Sequence, residues 1–341
     1  MNECSNKENV KIINSLQTLR FIAILMIFYT HIISDNIIYA TCGISFFVIL
    51  SGFVYGYKDN EKDIKVIPET KKLLKKRVLQ FYPLHIITLI MSISLESQIP
   101  PLSVVMQNLL LLQCYFTTNY FCFNGTSWFL SLCMTLTIFT YPFKKAIRKI
   151  KENSNLILLF LVFVIVNLIY CYQIYKMNVD LQYWLYICPI VGILEYVCGM
   201  IVGNLMYRNN FKISKIMATI LEIISIWIII IILLIQDIPE YIYRNFIWVI
   251  PMSLTIAIFS MEKGYISKFF NIKCLVNLGN LSFSIFMTHQ IILRYIDKYS
   301  LMEDIALPEK FLIELVICII VAKIVSNILN CIKIDFRCSK K

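Results

Sequence analysis

Apolar residues in this chain come in long unbroken runs, without the period-two alternation of a half-buried strand. Ten runs stand out, over residues 13–34, 40–57, 78–95, 128–143, 155–175, 183–207, 216–235, 244–261, 275–296 and 311–332. Most approach the ~20 residues a helix needs to cross the hydrocarbon core of a bilayer. Backbone polar groups cannot stay unpaired in lipid, so these runs predict helices. A further stretch, 99–114, opens with Pro100 and Pro101 and carries Gln107, Asn108 and Gln113. It reads as a re-entrant or interfacial segment, not a span. No internal repeat and no separate soluble domain is visible. The expectation is one all-α domain over 1–341, a polytopic membrane bundle of about ten transmembrane helices. A polar N-terminal tail (1–11) and a basic C-terminal tail (333–341) would flank it.

Composition agrees: 59% of the residues are apolar and 16% charged, against about 45–50% and 25% in soluble domains. Disorder is excluded. The net charge of +11 would suggest nucleic acid in a soluble protein, but its distribution says otherwise. If ten spans alternate, 25 of the 32 Lys and Arg fall on the side of both termini and five on the other, with Arg20 and Lys323 inside spans. Such asymmetry marks the cytoplasmic side, so both termini are expected there. The expected partner is the bilayer, with no nucleic acid. Twelve cysteines form no disulfide framework; only Cys114 and Cys122 are placed to meet outside the membrane. No cleavable signal peptide and no metal-ligand cluster is read from the sequence.

Polar residues at membrane depth carry the functional signal. Arg20 lies early in the first span and His31 near its outer end. A charge at the bilayer centre costs at least ~2.5 kcal/mol, so it normally faces a partner or a wet cavity. Eleven residues make three helical turns and about 20°, placing both side chains on one face, roughly 16 Å apart along the axis. A plain alternative is that Arg20 snorkels to the inner interface and His31 sits among headgroups. His85 is expected at the inner interface of the third span, and His289 in the outer half of the ninth, at a depth similar to His31. There it would either assist His31 or hydrogen-bond a neighbouring helix. Glu195, Glu222, Glu314 and Lys323 also lie within spans and need partners; Glu314 and Lys323 fall on opposite faces and do not pair with each other.

Five further segments accompany the Arg20–His31 spacing: Gly43 to Phe53, with the Phe46-Phe47 pair and Ser51-Gly52; Lys75 to Pro83; Asn124 to Ser131, containing Trp128; Leu194 to Gly203; and Leu278 to His289. In this order and spacing they resemble the acyltransferase 3 family, integral membrane enzymes that O-acylate bacterial cell-surface carbohydrates. The resemblance spans nearly the whole chain.

The resemblance implies a multi-pass protein of the bacterial cell (cytoplasmic) membrane with no permanently bound cofactor. Acyl-CoA, often acetyl-CoA, would be the co-substrate and a glycan or glycolipid the acceptor. It implies catalytic roles for His31 and Arg20, and donor binding at Arg77 with Lys76 and a Tyr82-Pro83 turn. His289, Ser51 and Trp128 are candidate auxiliaries, although Ser51-Gly52 can equally serve helix packing and Trp128 interface anchoring. The basic stretch from Lys58 to Arg77 can equally be a solvated loop against anionic lipid. Three positions depart from the family pattern: Ser45 where an acid is frequent, Gln80 in place of a second Arg, and Cys133 where many members have Glu. The competing function class is a non-catalytic carrier or degenerate relative, which would call for inverted repeats and broken helices at mid-membrane.

Overall fold

The computed structural model describes residues 13–338 apart from 35, 59–63, 99, 210 and 236, with side chains to Leu329. The polar tail 1–11 therefore lies outside the described residues. Residues 333–338, expected as a tail, continue the backbone of the last helix.

The chain is all-α, with no strand among the described residues. Its helices are α1 (Asn14–Ile32), α2 (Ile38–Tyr57), α3 (Val66–Ile93), the short α4 (Leu102–Leu109), α5 (Trp128–Lys149), α6 (Asn153–Lys176) and α7 (Pro189–Arg208). There follow α8 (Lys215–Leu234), α9 (Ile247–Ser260), the short α10 (Tyr265–Phe270) and α11 (Lys273–Asn280), then α12 (Ser282–Lys298) and α13 (Leu307–Cys338). π-Helical turns at Tyr183–Ile187 and Ile242–Phe246 lead into α7 and α9. The 99–114 stretch holds α4 and a 3-10 turn, not a spanning helix.

Seven helices are long and apolar enough to cross a membrane: α1, α2, α6, α7 with its π turn, α8, α9 with its π turn, and α13. The expected count of about ten is not confirmed: α3 and α5 fall short of the apolarity of a span, and α12, at 17 residues, of its length. Physically, α3 carries Lys71, Lys72, Lys75, Lys76 and Arg77; α5 carries three threonines and ends on Arg and Lys; α12 carries His289, Arg294 and Asp297. These three helices also carry much of the site described below.

Burial orders the bundle. In α2 and in Tyr183–Arg208, 72% and 78% of the apolar window is buried, against 22%, 17% and 22% in α6, α8 and α13. The first two form the centre and the last three the rim, where Ile and Leu side chains face outward. The α2–α7 seam is backbone on backbone. A Cβ built on Gly52 would lie 2.0 Å from the Tyr196 carbonyl oxygen, and one on Gly199 equally close, at 2.0 Å, to that of Ile49. Small residues let membrane helices approach this closely.

Each end of the bundle is tied by polar contacts. At one end the Asn14 N–H donates to Glu262 Oε1 at 2.9 Å, Arg208 donates to the Ile150 carbonyl at 2.7 Å, and Lys263 donates to the Phe211 carbonyl. Glu222 accepts from the N–H groups of Gly264 and Ile266, at 3.1 and 3.0 Å, and so satisfies the start of α10. Basic residues crowd this end: burial, then Lys76, Lys144 and Arg77, push Lys58 below the usual lysine range. At the other end Arg294 pairs with Glu96 at 2.8 Å and Tyr120 donates to Asp180 at 3.1 Å. The two are called the inner and outer ends below.

Other sequence expectations are corrected here. His85 does not mark the inner interface: it lies well past the middle of α3, fully buried, with Nε2–H donating to the Asn108 carbonyl at 2.9 Å. Packing of α4 against α3 supplies that partner. The Tyr82-Pro83 pair forms no turn, because Pro83 sits inside uninterrupted helix. Cys114 and Cys122 are both free; the Cys114 thiol lies 2.9 Å from Ser131 Oγ. Glu195 lies against Ser45 and Asn245, and Glu314 is 3.8 Å from Lys310.

Candidate active site

Two cavities lie one above the other between α1, α2, α5 and α12. The outer one has a volume of about 880 Å³ and is lined by His31, Ile27, Ala40 and Ile44 from the first two helices. Trp128, Phe286, Gln290 and Arg294 line it from α5 and α12, and the segment from Thr117 to Thr126 closes one wall. The inner cavity, of about 110 Å³, is lined by Arg20, Phe47, Ser51, Arg77, Gln80, Phe81, Phe129, Cys133 and Phe283, among others. Arg20 and His31 thus share one face of α1, as their spacing predicts, but open into different cavities.

His31, which lines the outer cavity, is paired with a second, buried histidine. The ring centroids of His31 and His289 are 5.4 Å apart. His289 is 1% exposed, whereas His31 is exposed to the cavity. His289 Nδ1 lies 2.8 Å from the Phe286 carbonyl oxygen and 3.2 Å from that of Ile285. A carbonyl only accepts, so Nδ1 carries the proton and Nε2 keeps its lone pair. That Nε2 is buried without a hydrogen-bond partner. An orphaned acceptor of this kind costs about 1–3 kcal/mol, which makes it conspicuous beside a second imidazole.

The walls around the pair are pinned. Asn124 donates to the Met287 carbonyl at 2.9 Å, fixing the loop ahead of α5 to α12. Arg294 is satisfied by Glu96 and by the Phe123 carbonyl at 2.6 Å. Trp128 packs on Tyr186 with centroids 4.9 Å apart. Burial and the Asp180 carboxylate push the Tyr120 phenol up to about 12, so it keeps its proton at any physiological pH. Besides His31, the charged residues among the described lining are Glu96 and Arg294, which neutralise each other.

The inner cavity is cationic. Arg20 and Arg77 both line it and repel each other, and no carboxylate is among its described lining residues. Arg20 donates to Gln17 Oε1 at 2.9 Å; Arg77 donates to Gln80 Oε1 at 3.1 Å and to the Tyr55 hydroxyl at 3.3 Å. The Arg77 guanidinium also lies 5.5 Å from the Phe81 ring centre. Two guanidiniums with only neutral partners make a ready anion site.

Of the residues expected from sequence, Arg20, Arg77 and Ser51 meet in the inner cavity, and His31, His289 and Trp128 meet at the outer one. Lys76 and Tyr82 join neither. Arg77, Gln80 and Phe81 are spaced i, i+3, i+4 and share a helix face, and the neighbouring positions turn Lys76 out to solvent and Tyr82 against His85. Gln80 and Cys133, where the family pattern is departed from, both line the inner cavity; Ser45 instead is buried against Glu195. Glu96, Gln290, Arg294 and Tyr186 were missed in the sequence. The signal for two of them was there, since Gln290 and Arg294 follow His289 on one helix at i+1 and i+5.

The class of molecule this defines is a polytopic helical membrane protein with a buried polar column running between two ends of opposite character. A model of the acyltransferase 3 family, described as an acyltransferase domain, matches residues 13–331, and the chain belongs to that family. It is a membrane acyltransferase. No curated protein and no solved structure matches the chain.

Proposed function

We propose that the protein transfers an acyl group, acetyl in the first instance, from acyl-CoA at its inner end to a hydroxyl of a cell-surface or exported carbohydrate at its outer end. The observation behind this reading is the column itself. Two arginines, with no carboxylate among the described lining residues, stand at its inner cavity, and two histidines at its outer cavity. Acyl-CoA is an anionic thioester, and guanidiniums suit its phosphates. A cavity of about 110 Å³ admits only the narrow end of such a donor. The nucleotide would stay outside, where Lys75 and Lys76 are exposed on α3. In this orientation both termini are cytoplasmic.

A sugar hydroxyl is a poor nucleophile and needs a base as it attacks, and a neutral imidazole can take its proton. His31 faces the cavity where the hydroxyl arrives. Its ring takes the hydroxyl proton while the oxygen forms a bond to the thioester carbonyl carbon. The carbon–sulfur bond then breaks, and the proton goes to the leaving CoA sulfur. The lone pair of His289 Nε2 can accept from the far N–H of His31 after a small ring rotation, orienting it and sharing the positive charge. Arg20 lies in the other cavity and so orients the donor; it does not touch the thioester oxygen. The net-neutral outer lining with its aromatic Trp128, Tyr186 and Tyr120 favours an uncharged acceptor whose ring faces stack on aromatic side chains. An acyl-His31 intermediate is the competing chemical route.

The test is incubation of detergent-purified protein with acetyl-CoA and a panel of neutral oligosaccharides, read by mass spectrometry. Acetylated sugar from the wild type, lost in His31→Ala while acyl-CoA binding persists, supports the reading. Transfer at the wild-type rate by His31→Ala, or no acyl-CoA-dependent product from the wild type, would overturn it.

A further inference from the structure

The two cavities are stacked, yet they do not join. Four helices, α1, α2, α5 and α12, contribute to both, and the change-over occurs at one level. On α2 the outer cavity ends at Ile44 and the inner begins at Phe47; on α5 Trp128 lines the outer and Phe129 the inner; on α12 Phe286 lines both. Three aromatic rings occupy that level and touch in series. Phe47 and Phe129 have centroids 6.4 Å apart, and Phe129 and Phe286 stand edge to face at 5.3 Å. The Phe129–Phe286 distance lies within the range of a favourable aromatic pair.

This layer stands between the arginines and the histidines. A donor held at Arg20 and Arg77 cannot present its thioester to His31 without crossing it. We propose that Phe47, Phe129 and Phe286 form a hydrophobic gate, and that the acyl end of the donor passes between Phe129 and Phe286. The proposal rests on the transfer reading above and adds the residues that control passage.

Two physical arguments give the layer a purpose. A continuous wet passage joining an outer cavity of about 880 Å³ to the inner face would leak ions and protons; apolar constrictions prevent this by excluding water. Water of the outer cavity, kept back by the layer, also cannot reach and hydrolyse a thioester waiting in the inner one. The way of opening is local. Phe286 holds His289 through its backbone carbonyl, which a change of its own rotamer leaves in place, although its ring also stands 6.1 Å from the His289 ring. Phe129 carries no such duty and touches neither histidine, which makes it the residue to alter.

Two native cysteines report on the gate without need of a substrate. Cys122 lines the outer cavity and Cys133 the inner one, below the rings. Intact cells and inverted membranes are treated with a membrane-impermeant maleimide, and labelling at each cysteine is read by peptide mass spectrometry. The informative preparation is the one in which Cys122 is labelled. There, wild-type Cys133 should stay unlabelled, and Phe129→Ala should speed its labelling at least about tenfold. Phe47→Ala, a second opening in the same layer, should act in the same direction and covers the case in which Phe129→Ala fails to accumulate. Equal labelling of Cys133 in the wild type and both variants would overturn the gate, as would its absence in both variants. Failure of the acyltransferase reading is separate: it would appear as no acetyl transfer by the wild type, whatever the labelling pattern.

Discussion

The inner and outer cavities share α1, α2, α5 and α12, with α3 adding Arg77 to the inner one, yet they differ in almost every physical respect. The inner one is small and lined by two repelling guanidiniums with neutral partners. The outer one is about eight times larger, its Arg294–Glu96 charges cancel, and its reactive groups are two imidazoles. A site that took both substrates from one side would have no reason to divide its chemistry in this way. On the proposed reading, charge recognition is completed at one end and proton transfer at the other, with an aromatic layer between them. Beside this open column, the α2–α7 seam is its opposite, backbone against backbone with no room for one methyl group. Rigidity at that seam allows the column to stay hollow.

The comparison breaks most completely at His31. Loss of a general base typically costs about 10²–10⁴-fold in rate, so His31→Ala should lose that much transfer while its apparent affinity for acetyl-CoA, measured by isothermal titration, stays the same. Removing Arg77 probes the other cavity. A hydrogen bond to a charged group contributes about 1.5–3 kcal/mol, so Arg77→Ala should weaken acetyl-CoA binding about 10- to 100-fold and leave the KM for the sugar unaltered. If both constants moved together, the two cavities would not be separate binding sites.

Gly199→Ala tests the rigid seam. Overpacking typically costs about 1–3 kcal/mol, and the obstructing atom here is the Ile49 carbonyl oxygen. Thermal unfolding in detergent should therefore fall by several degrees, with residual enzyme keeping wild-type KM values. The smallest effect is expected at Glu96. Its pair with Arg294 is half exposed, and such pairs contribute at most about 1 kcal/mol. Glu96→Gln should change the sugar KM by a few-fold and the acetyl-CoA KM not at all.

Much of this was legible in the sequence, and the unread part has a physical pattern. The apolar runs gave the helices, and the Arg20–His31 spacing gave a shared face, because helical phase is set by local geometry alone. The depth of His289 also followed from its position in a run. The ten-span count is not confirmed at α3, α5 and α12, since helices that line a polar column lose the apolar excess that marks a span. The Tyr82-Pro83 turn failed because a proline inside a helix can be tolerated where neighbouring helices support it. Lys76 and Tyr82 line neither cavity, because only one face of the α3 motif turns inward. The outer wall from Glu96 to Thr126 was invisible for a different reason. Its contacts, such as Asn124 with Met287 and Arg294 with Phe123, join residues far apart in sequence through irregular backbone.

The central claim is that donor and acceptor meet from opposite sides. The direct test uses proteoliposomes of wild-type protein in one orientation, with acetyl-CoA supplied only on the Arg77 side and the oligosaccharide panel only on the His31 side. The account predicts acetylated sugar on the His31 side and free CoA on the other. Product formed only when both substrates share one compartment would contradict it.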